Sequence, residues 1–360
     1  MKNCVIVIPV LEPNEAFIPY VKQLIQEAFT SIVIVNDGSS SDKTSVFELL
    51  DKLPEVKVLT HAVNMGKGRA LKNAFNYILN DTELSKRHGV ITVDGDGQHE
   101  VSDVLKICSQ LDEKTKALLL GVRHFSEENV PLTSRLGNTI TRHLFKLLYG
   151  EKINDTQTGL RGITLDVLPE FIAIDGERYS YETNMLIVAI QKRIDFQEVP
   201  IQTVYIKDNE ESHFNPFKDS VEIYVLLFKN FFKFMSVSFT SFLIDISFFQ
   251  VFILALSFLV TKRRIIVATL LARAVSSLFN YIVNRKWVFE SNKRWNKTLF
   301  RYYALVAIEA SASGLSVYWL FQLTGLREVI LKIFVDAILF MISYRIQKFL
   351  IFKERRKKKD

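Results

Sequence analysis

Gly89-Val90-Ile91-Thr92-Val93-Asp94-Gly95-Asp96-Gly97-Gln98-His99 is the stretch on which the reading of this chain turns. An apolar, β-branched run ends abruptly in two carboxylates on glycine-rich backbone. In an open α/β sheet, ligands bind beyond the carboxyl ends of the strands. Asp94 and Asp96, with the Gln98 amide two residues on, suit a hard divalent cation that keeps waters and bridges phosphate oxygens. Taken alone, the same stretch also reads as a solvated Asp/Gly turn. Its neighbours separate the two readings.

Outward from it, apolar runs alternate with helical patterns in βαβα order. Strands are predicted at residues 5–8, 32–35, 56–59, 90–93 and 118–121, and helices at 17–28, 43–50, 69–79 and 101–111. This alternation predicts an α/β fold with a mostly parallel sheet covered on both faces. A polar loop follows each of the first four strands. These hold Pro9 and Glu12, then Asn36-Asp37-Gly38-Ser39-Ser40-Ser41-Asp42, then Asn64-Met65-Gly66-Lys67-Gly68-Arg69, then Asp94 and Asp96. Each alone reads as a turn or cap, Ser41 or Asp42 being a natural N-cap. Four on one sheet edge make a site for a nucleotide diphosphate, with Asp37 accepting from base or ribose and Lys67 and Arg69 neutralising phosphate.

Ile8-Pro9, Asn36-Asp37-Gly38-Ser39, Asn64-x-Gly66-Lys67-Gly68-x-Ala70 and Asp94-x-Asp96-x-Gln98 stand in the order and spacing of family 2 glycosyltransferases. More narrowly, residues 3–225 resemble polyprenyl-phosphate sugar synthases of the dolichyl-phosphate mannose synthase type. The resemblance implies a GT-A fold and a UDP- or GDP-linked sugar donor, bound by Pro9, Glu12, Asp37, Lys67 and Asp94. It implies Mg²⁺ or Mn²⁺ on Asp94, Asp96 and Gln98. Two departures touch nucleotide recognition and leave the base open. Leu11-Glu12-Pro13 stands where the family has Tyr-Asn-Glu, with Asn14-Glu15 displaced, and Asn36 replaces the first Asp of Asp-Asp-Gly-Ser.

On the acceptor side, residues 131–149 place Leu132, Leu136, Ile140, Leu144, Leu147 and Leu148 on one helical stripe, with Arg135, Arg142 and Lys146 on other faces. Such a helix lies either on a membrane surface or in the core. Synthases of this class hold the lipid phosphate with arginines. Arg123 and Arg135 match these by position, which implies Asp96, Arg123 and Arg135 as the catalytic set. Asp155-Thr156-x-Thr158-Gly159-x-Arg161 resembles the family's Asp-x-x-Ser/Thr-Gly-Phe-Arg segment, and Ser212-His213-Phe214-Asn215-Pro216-x-x-Asp219-Ser220 the segment leading into the membrane. His99 and His213 adjoin the site; His61, His88, His124 and His143 read as structural or solvated. Glu182 reads as a structural or substrate-positioning residue, because a phosphate acceptor is already anionic and needs little base assistance.

The second half is different in kind. Apolar segments near 231–260, 265–289, 300–324 and 329–352 each exceed the roughly 20 residues a spanning helix needs. Domains are therefore expected at 1–228, catalytic, and 229–353, an all-α four-helix transmembrane domain, with a basic tail at 354–360. The chain carries 28 Phe and a net charge of +7. Much of the excess flanks the apolar segments, as in Lys262-Arg263-Arg264, Arg285-Lys286 and Lys293-Arg294. This distribution points to membrane lipid rather than nucleic acid. Cys4 and Cys108 read as buried free thiols rather than a disulfide or metal site. The N-terminal apolar run, cut short at Pro9, is too short for a signal peptide. The catalytic domain and the C-terminus are thus expected in the cytoplasm of a multi-pass cell-membrane protein, with Lys262-Arg263-Arg264 facing outward against the positive-inside bias.

Arg273-Ala274-Val275, Tyr281, Asn284-Arg285 and Val288-Phe289 recur 63 positions later as Asp336-Ala337-Ile338, Tyr344, Gln347-Lys348 and Ile351-Phe352. The pattern predicts a two-helix hairpin used twice in the same orientation. Asp245, Arg273, Glu309 and Asp336 fall inside these spans, where charges are costly and find partners; Arg273 is expected to pair with Asp336. Leu271-Ala272-Arg273, Asn280-Tyr281 and Asn284-Arg285-Lys286-Trp287-Val288-Phe289 resemble the GtrA-like four-helix family. That resemblance implies a polyprenyl-linked sugar pathway and a role in moving such lipids.

Together these readings predict inverting, metal-dependent transfer of a sugar from an NDP-sugar to a polyprenyl phosphate of undecaprenyl or dolichyl type, for cell-envelope glycosylation. Two alternatives stay open. One is transfer to another lipid or polysaccharide acceptor; the other is a transporter of sugar lipids with a regulatory soluble domain. A homo-oligomer is compatible with all of them.

Overall fold

A computed structural model describes residues 2–123, 132–202 and 218–352, apart from the side chains of 132–136, 218–220 and 328. The chain forms two compact units, one up to Leu226 and one from Leu227. Among the described residues, the first unit contains strands β1 (Cys4–Val10), β2 (Ile32–Asn36), β3 (Val56–Thr60), β4 (Gly89–Thr92), β5 (Ala117–Arg123), β6 (Arg161–Thr164) and β7 (Asp195–Ile201). They make one sheet in the order β3-β2-β1-β4-β6-β5-β7. Its helices are α1 (Phe17–Gln26), α2 (Thr44–Asp51), α3 (Lys67–Asn80), α4 (Val101–Leu111), α5 (Leu132–Tyr149), α6 (Leu168–Ile172) and α7 (Ser180–Lys192).

All seven residues of β1 are buried, as a central strand covered on both faces requires. Cys4, Ile6, Ile8 and Val10 join a core with Phe17, Val21 and Leu24 of α1, Phe47 of α2 and Ile107 of α4. The alternate residues Val5 and Val7 turn to the other face, where α3 lies along β1 and packs on α6 and α7. Each such Val, Ile or Leu contributes about 1.5–3 kcal/mol on burial. Cys4 and Cys108 are free, buried thiols with their sulfurs 3.2 Å apart.

Strands β3, β2, β1 and β4 run parallel, and β5 runs parallel to β7. β6 runs antiparallel to both β4 and β5. The chain leaves β1 toward β2 on one side and later enters β4 on the other, so a topological switch point opens between β1 and β4. The five expected strands and four expected helices are all present. The second half of the sheet carries the surprises. β6 has only four residues, too few for a periodic signal, and α7 is buried almost all round, so it lacks an amphipathic period.

Of the described side chains in the expected apolar stripe of α5, Leu148 alone is buried. The buried face of the helix is Asn138, Thr141, Phe145 and Leu148, whereas Ile140 is 49% exposed and Leu144 and Leu147 are half-buried. A polar residue leads the inward face because Asn138 finds hydrogen-bond partners there. Leu132, Arg135 and Leu136 lie on the helix, with side chains outside the described residues.

The chain passes into the second unit within α8 (Lys218–Ala255), followed by α9 (Thr261–Val283), α10 (Trp295–Thr324) and α11 (Glu328–Ile346). Among the described residues, three helices, at Val221–Ala255, Thr261–Val288 and Trp295–Thr324, are long and apolar enough to cross a membrane. Phe258, Phe300 and Leu323 are 77–78% exposed, a surface that suits lipid rather than water.

The 63-residue repeat has a structural counterpart. α9 and α11 each end in a π-helical turn, Asn284–Val288 and Gln347–Ile351, at matching positions. Phe289 N–H donates to Asn284 O at 2.9 Å and Phe352 N–H to Gln347 O at 2.8 Å, and the rings of Phe289 and Phe352 stack. The charge pairing differs from expectation. Arg273 Nε lies 3.6 Å from Asp245 Oδ2, while Asp336 takes Lys332 at 2.7 Å and the Ser313 hydroxyl at 2.6 Å. Each charged group is thus met by its own helix or by the one beside it within its hairpin, so Arg273 does not reach across to Asp336.

Candidate active site

The site grows from the β1/β4 switch point. β4 stops after Thr92, and Val93 N–H still donates to Val7 O at 2.9 Å, which aims the Asp94 loop beyond the sheet edge. Gly95 passes so close to β1 that a Cβ would meet Val10 side-chain carbons at 2.8 Å. Gly159, ahead of β6, lies against the Asp94 carboxylate, and its carbonyl accepts the Thr92 hydroxyl at 2.7 Å.

Asp94 is the electrostatic centre. Lys67 Nζ, at the start of α3, lies 2.6 Å from Asp94 Oδ1 and 2.9 Å from Glu182 Oε1, on α7. His99 Nε2 meets the second Asp94 oxygen at 3.2 Å. Burial alone would raise the Asp94 pKa, but Lys67 and His99 outweigh it and hold the carboxyl well below its usual range. Burial likewise presses the Lys67 pKa down, and Asp94 and Glu182 carry it well above the ordinary lysine value. Asp96 moves the opposite way from Asp94, raised by burial and by the neighbouring Asp94 charge. Gln98 contributes its backbone N–H to Asp96 Oδ1 at 3.1 Å.

The loops expected to take the nucleotide are more tightly built than the motif pattern implied. Pro9 lies in β1, paired in register with Val35. Asp37 is 4% exposed; its carboxylate receives Met65 and Gly66 N–H at 2.9 and 2.8 Å and meets His61 Nδ1 at 2.7 Å. It therefore buckles the β2 loop to the α3 loop, with two of these contacts on Oδ1 and one on Oδ2. Glu12 accepts Ser40 N–H and Oγ–H at 2.6 and 2.8 Å, bracing the same rim. Arg69 Nε is 2.6 Å from Glu177 Oε2, so its charge is already engaged, as is that of Lys72 with Glu177 at 3.1 Å.

On the side expected to take the acceptor, the Arg123 guanidinium grips fully buried Asp155 through two nitrogens, at 2.6 and 3.0 Å. Asn138 of α5 ties the same loop, donating to Asn154 O at 2.7 Å and accepting Thr156 N–H at 3.2 Å. Arg161 is 1% exposed; it donates to Thr158 O at 3.0 Å and Glu182 O at 2.8 Å, while its Nη2 has no hydrogen-bond partner among the described residues. Arg135 and His213 lie outside the described side chains. The sequence pattern did not single out Asn138 or the tie between Lys67, Asp94 and Glu182; the polar residues on otherwise buried α5 and α7 faces were the available signal.

Residues 5–170 match the family model described as glycosyl transferase family 2, and residues 233–352 that described as GtrA/DPMS, transmembrane domain. An uncharacterized protein of Methanocaldococcus jannaschii is 31% identical over 204 residues, covering 56% of this chain and 81% of its own length. A UDP-N-acetylglucosamine–dolichyl-phosphate N-acetylglucosaminyltransferase of Methanococcus voltae is 29% identical over 223 residues, 56% of this chain and 85% of that protein. Among solved structures, a mycobacterial protein overlaps with a TM-score of 0.50 at 17% identity, over 63% of this chain and 74% of that one, a likeness of fold alone.

Proposed function

Because the chain belongs to the family 2 glycosyltransferases, with a GT-A catalytic unit followed by a GtrA/DPMS transmembrane domain, we propose that it transfers a sugar from an NDP-sugar to a polyprenyl phosphate at the cytoplasmic membrane face. The observation that carries this reading is one short loop. Gly159 abuts Asp94 at one end and Asp155 holds Arg123 at the other. The Asp94 loop, read as the donor site, and Arg123, read as the arginine for the acceptor phosphate, are thereby fastened to the same segment.

Asp94, Asp96 and Gln98 offer the hard oxygen donors that Mg²⁺ or Mn²⁺ takes. Burial first, and then the neighbouring Asp94 charge, raise the Asp96 pKa, and a divalent ion bound to both carboxylates would offset that cost. Bound there, the ion would offset charge on the departing diphosphate. Lys67 stands beside Asp94 and supplies a cation for the donor phosphates. Arg123, with Arg135, orients the acceptor phosphate; its oxygen attacks the anomeric carbon as the bond to the donor diphosphate breaks, inverting the configuration. Glu182 is 5% exposed and held by Lys67, which suits positioning rather than base catalysis. Exposed Ile140, with half-buried Leu144 and Leu147 on the same face of α5, supports contact with the bilayer surface. Four spans, with α11 as the fourth, return the C-terminus to the cytoplasm. The product serves cell-envelope glycosylation.

Detergent-purified full-length protein, given labelled NDP-sugars with undecaprenyl or dolichyl phosphate, is expected to form a mild-acid-labile lipid. No such product with any common donor would overturn the reading.

A further inference from the structure

Both oxygens of Asp94 are engaged by the protein's own groups, Oδ1 by Lys67 and Oδ2 by His99. Lys67 has the longer side chain of the two, an ammonium on a four-carbon stem with several rotatable bonds, rooted at the first position of α3. Its second anchor, Glu182, sits on buried α7 and does not belong to the Asp94 loop. Asp96 stands two residues from Asp94, and Glu182 shares Lys67 with Asp94, so an unneutralised charge in this partly buried place is strongly unfavourable. Lys72 is directed to Glu177 and Arg69 to the same residue, so neither serves Asp94.

We infer that Lys67 is an exchangeable internal counter-ion. It neutralises Asp94 while the donor is absent, then yields that carboxylate to the divalent cation and turns its ammonium to the donor diphosphate, keeping Glu182 as its tether. This rests on the reading of Asp94, Asp96 and Gln98 as a cation site. The consequence is reciprocal coupling. A cation arriving alone must displace a lysine, whereas a cation arriving with a diphosphate gives that lysine a new partner. Metal and nucleotide each tighten the other's binding, and the metal alone binds weakly.

Mn²⁺ titration of the detergent-purified full-length protein, followed by electron paramagnetic resonance with and without UDP or GDP, reads this directly. Wild type is expected to bind Mn²⁺ weakly alone and more tightly with the matching diphosphate. Lys67→Met is expected to bind Mn²⁺ alone about tenfold more tightly, the scale of losing one charged hydrogen-bonded competitor, and to lose most of the nucleotide dependence. Lys67→Gln, which keeps a polar group between Asp94 and Glu182, guards against misfolding of the first variant and is expected to shift the same way. Asp96→Asn marks the site by abolishing this binding. Equal or weaker Mn²⁺ affinity in both Lys67 variants, with Asp96→Asn still abolishing it, would overturn the counter-ion role and leave the cation site standing. Mn²⁺ binding indifferent to Asp96→Asn would overturn both.

Discussion

Gly159 lies against the carboxylate of Asp94, leaving no room for a Cβ. The glycine brings the loop ahead of β6 under the Asp94 loop, and so joins the halves of the candidate site. Gly159→Ala must therefore displace Asp94 or bend the loop. The expected cost is about 1–3 kcal/mol of stability from overpacking, with turnover reduced on the order of 100-fold by misplacement of about 1 Å. Thermal melts and product formation on the same preparation check this, and near-wild-type turnover would count against it.

Asp155 is buried and its carboxylate is held by Arg123. Asp155→Ala removes a charged hydrogen-bond pair and should cost about 1.5–3 kcal/mol. Because the Arg123 guanidinium loses its orientation, KM for the polyprenyl phosphate should rise, while KM for the NDP-sugar stays within roughly twofold. A matched rise in both would point to a general loss of structure.

The raised pKa of Asp96 carries a stability consequence of definite sign. The folded protein holds the Asp96 proton more tightly than the unfolded chain, whose reference value is 3.8. Stability from this group therefore falls as pH rises from that value through the raised one, and the deficit persists above it. Asp96→Asn should raise the melting temperature at neutral pH in the absence of divalent ions, with the gain closing toward acid, while activity is lost. Melts across pH 4–7.5 are the measurement; a variant that melts lower than wild type at neutral pH would contradict it. Asp94 behaves oppositely. Its depressed pKa stabilises the fold above the unfolded value and is lost as pH falls through the folded one.

Arg273 faces Asp245 rather than Asp336. A double-mutant cycle on detergent-solubilised protein should show coupling between positions 273 and 245, while 273 and 336 add within about 0.3–0.5 kcal/mol. Coupling confined to the second pair would restore the cross-repeat arrangement.

Much was legible in the primary structure because its signals are local. The β-branched run into Asp94 and Asp96, the polar loops after successive strands and the long apolar spans each lie within one element. The repeat was legible too, since Tyr281/Tyr344 and Phe289/Phe352 keep their spacing, and the matching π turns lie on it. β6 was not legible. Four residues carry no period, and antiparallel insertion between β4 and β5 depends on how the chain returns from α5.

The amino-acid sequence by itself determined the α/β pattern, the place of the carboxylate loop and the apolar character of the second half, because hydrophobic period and turn chemistry act over a few residues. Only the tertiary structure decided which charges meet. Lys67 binds Asp94 and Glu182, Arg69 binds Glu177, and Arg273 binds Asp245. A charged side chain takes the counter-charge that packing brings within about 4 Å, and strand order and helix adjacency, not spacing along the chain, set that neighbour.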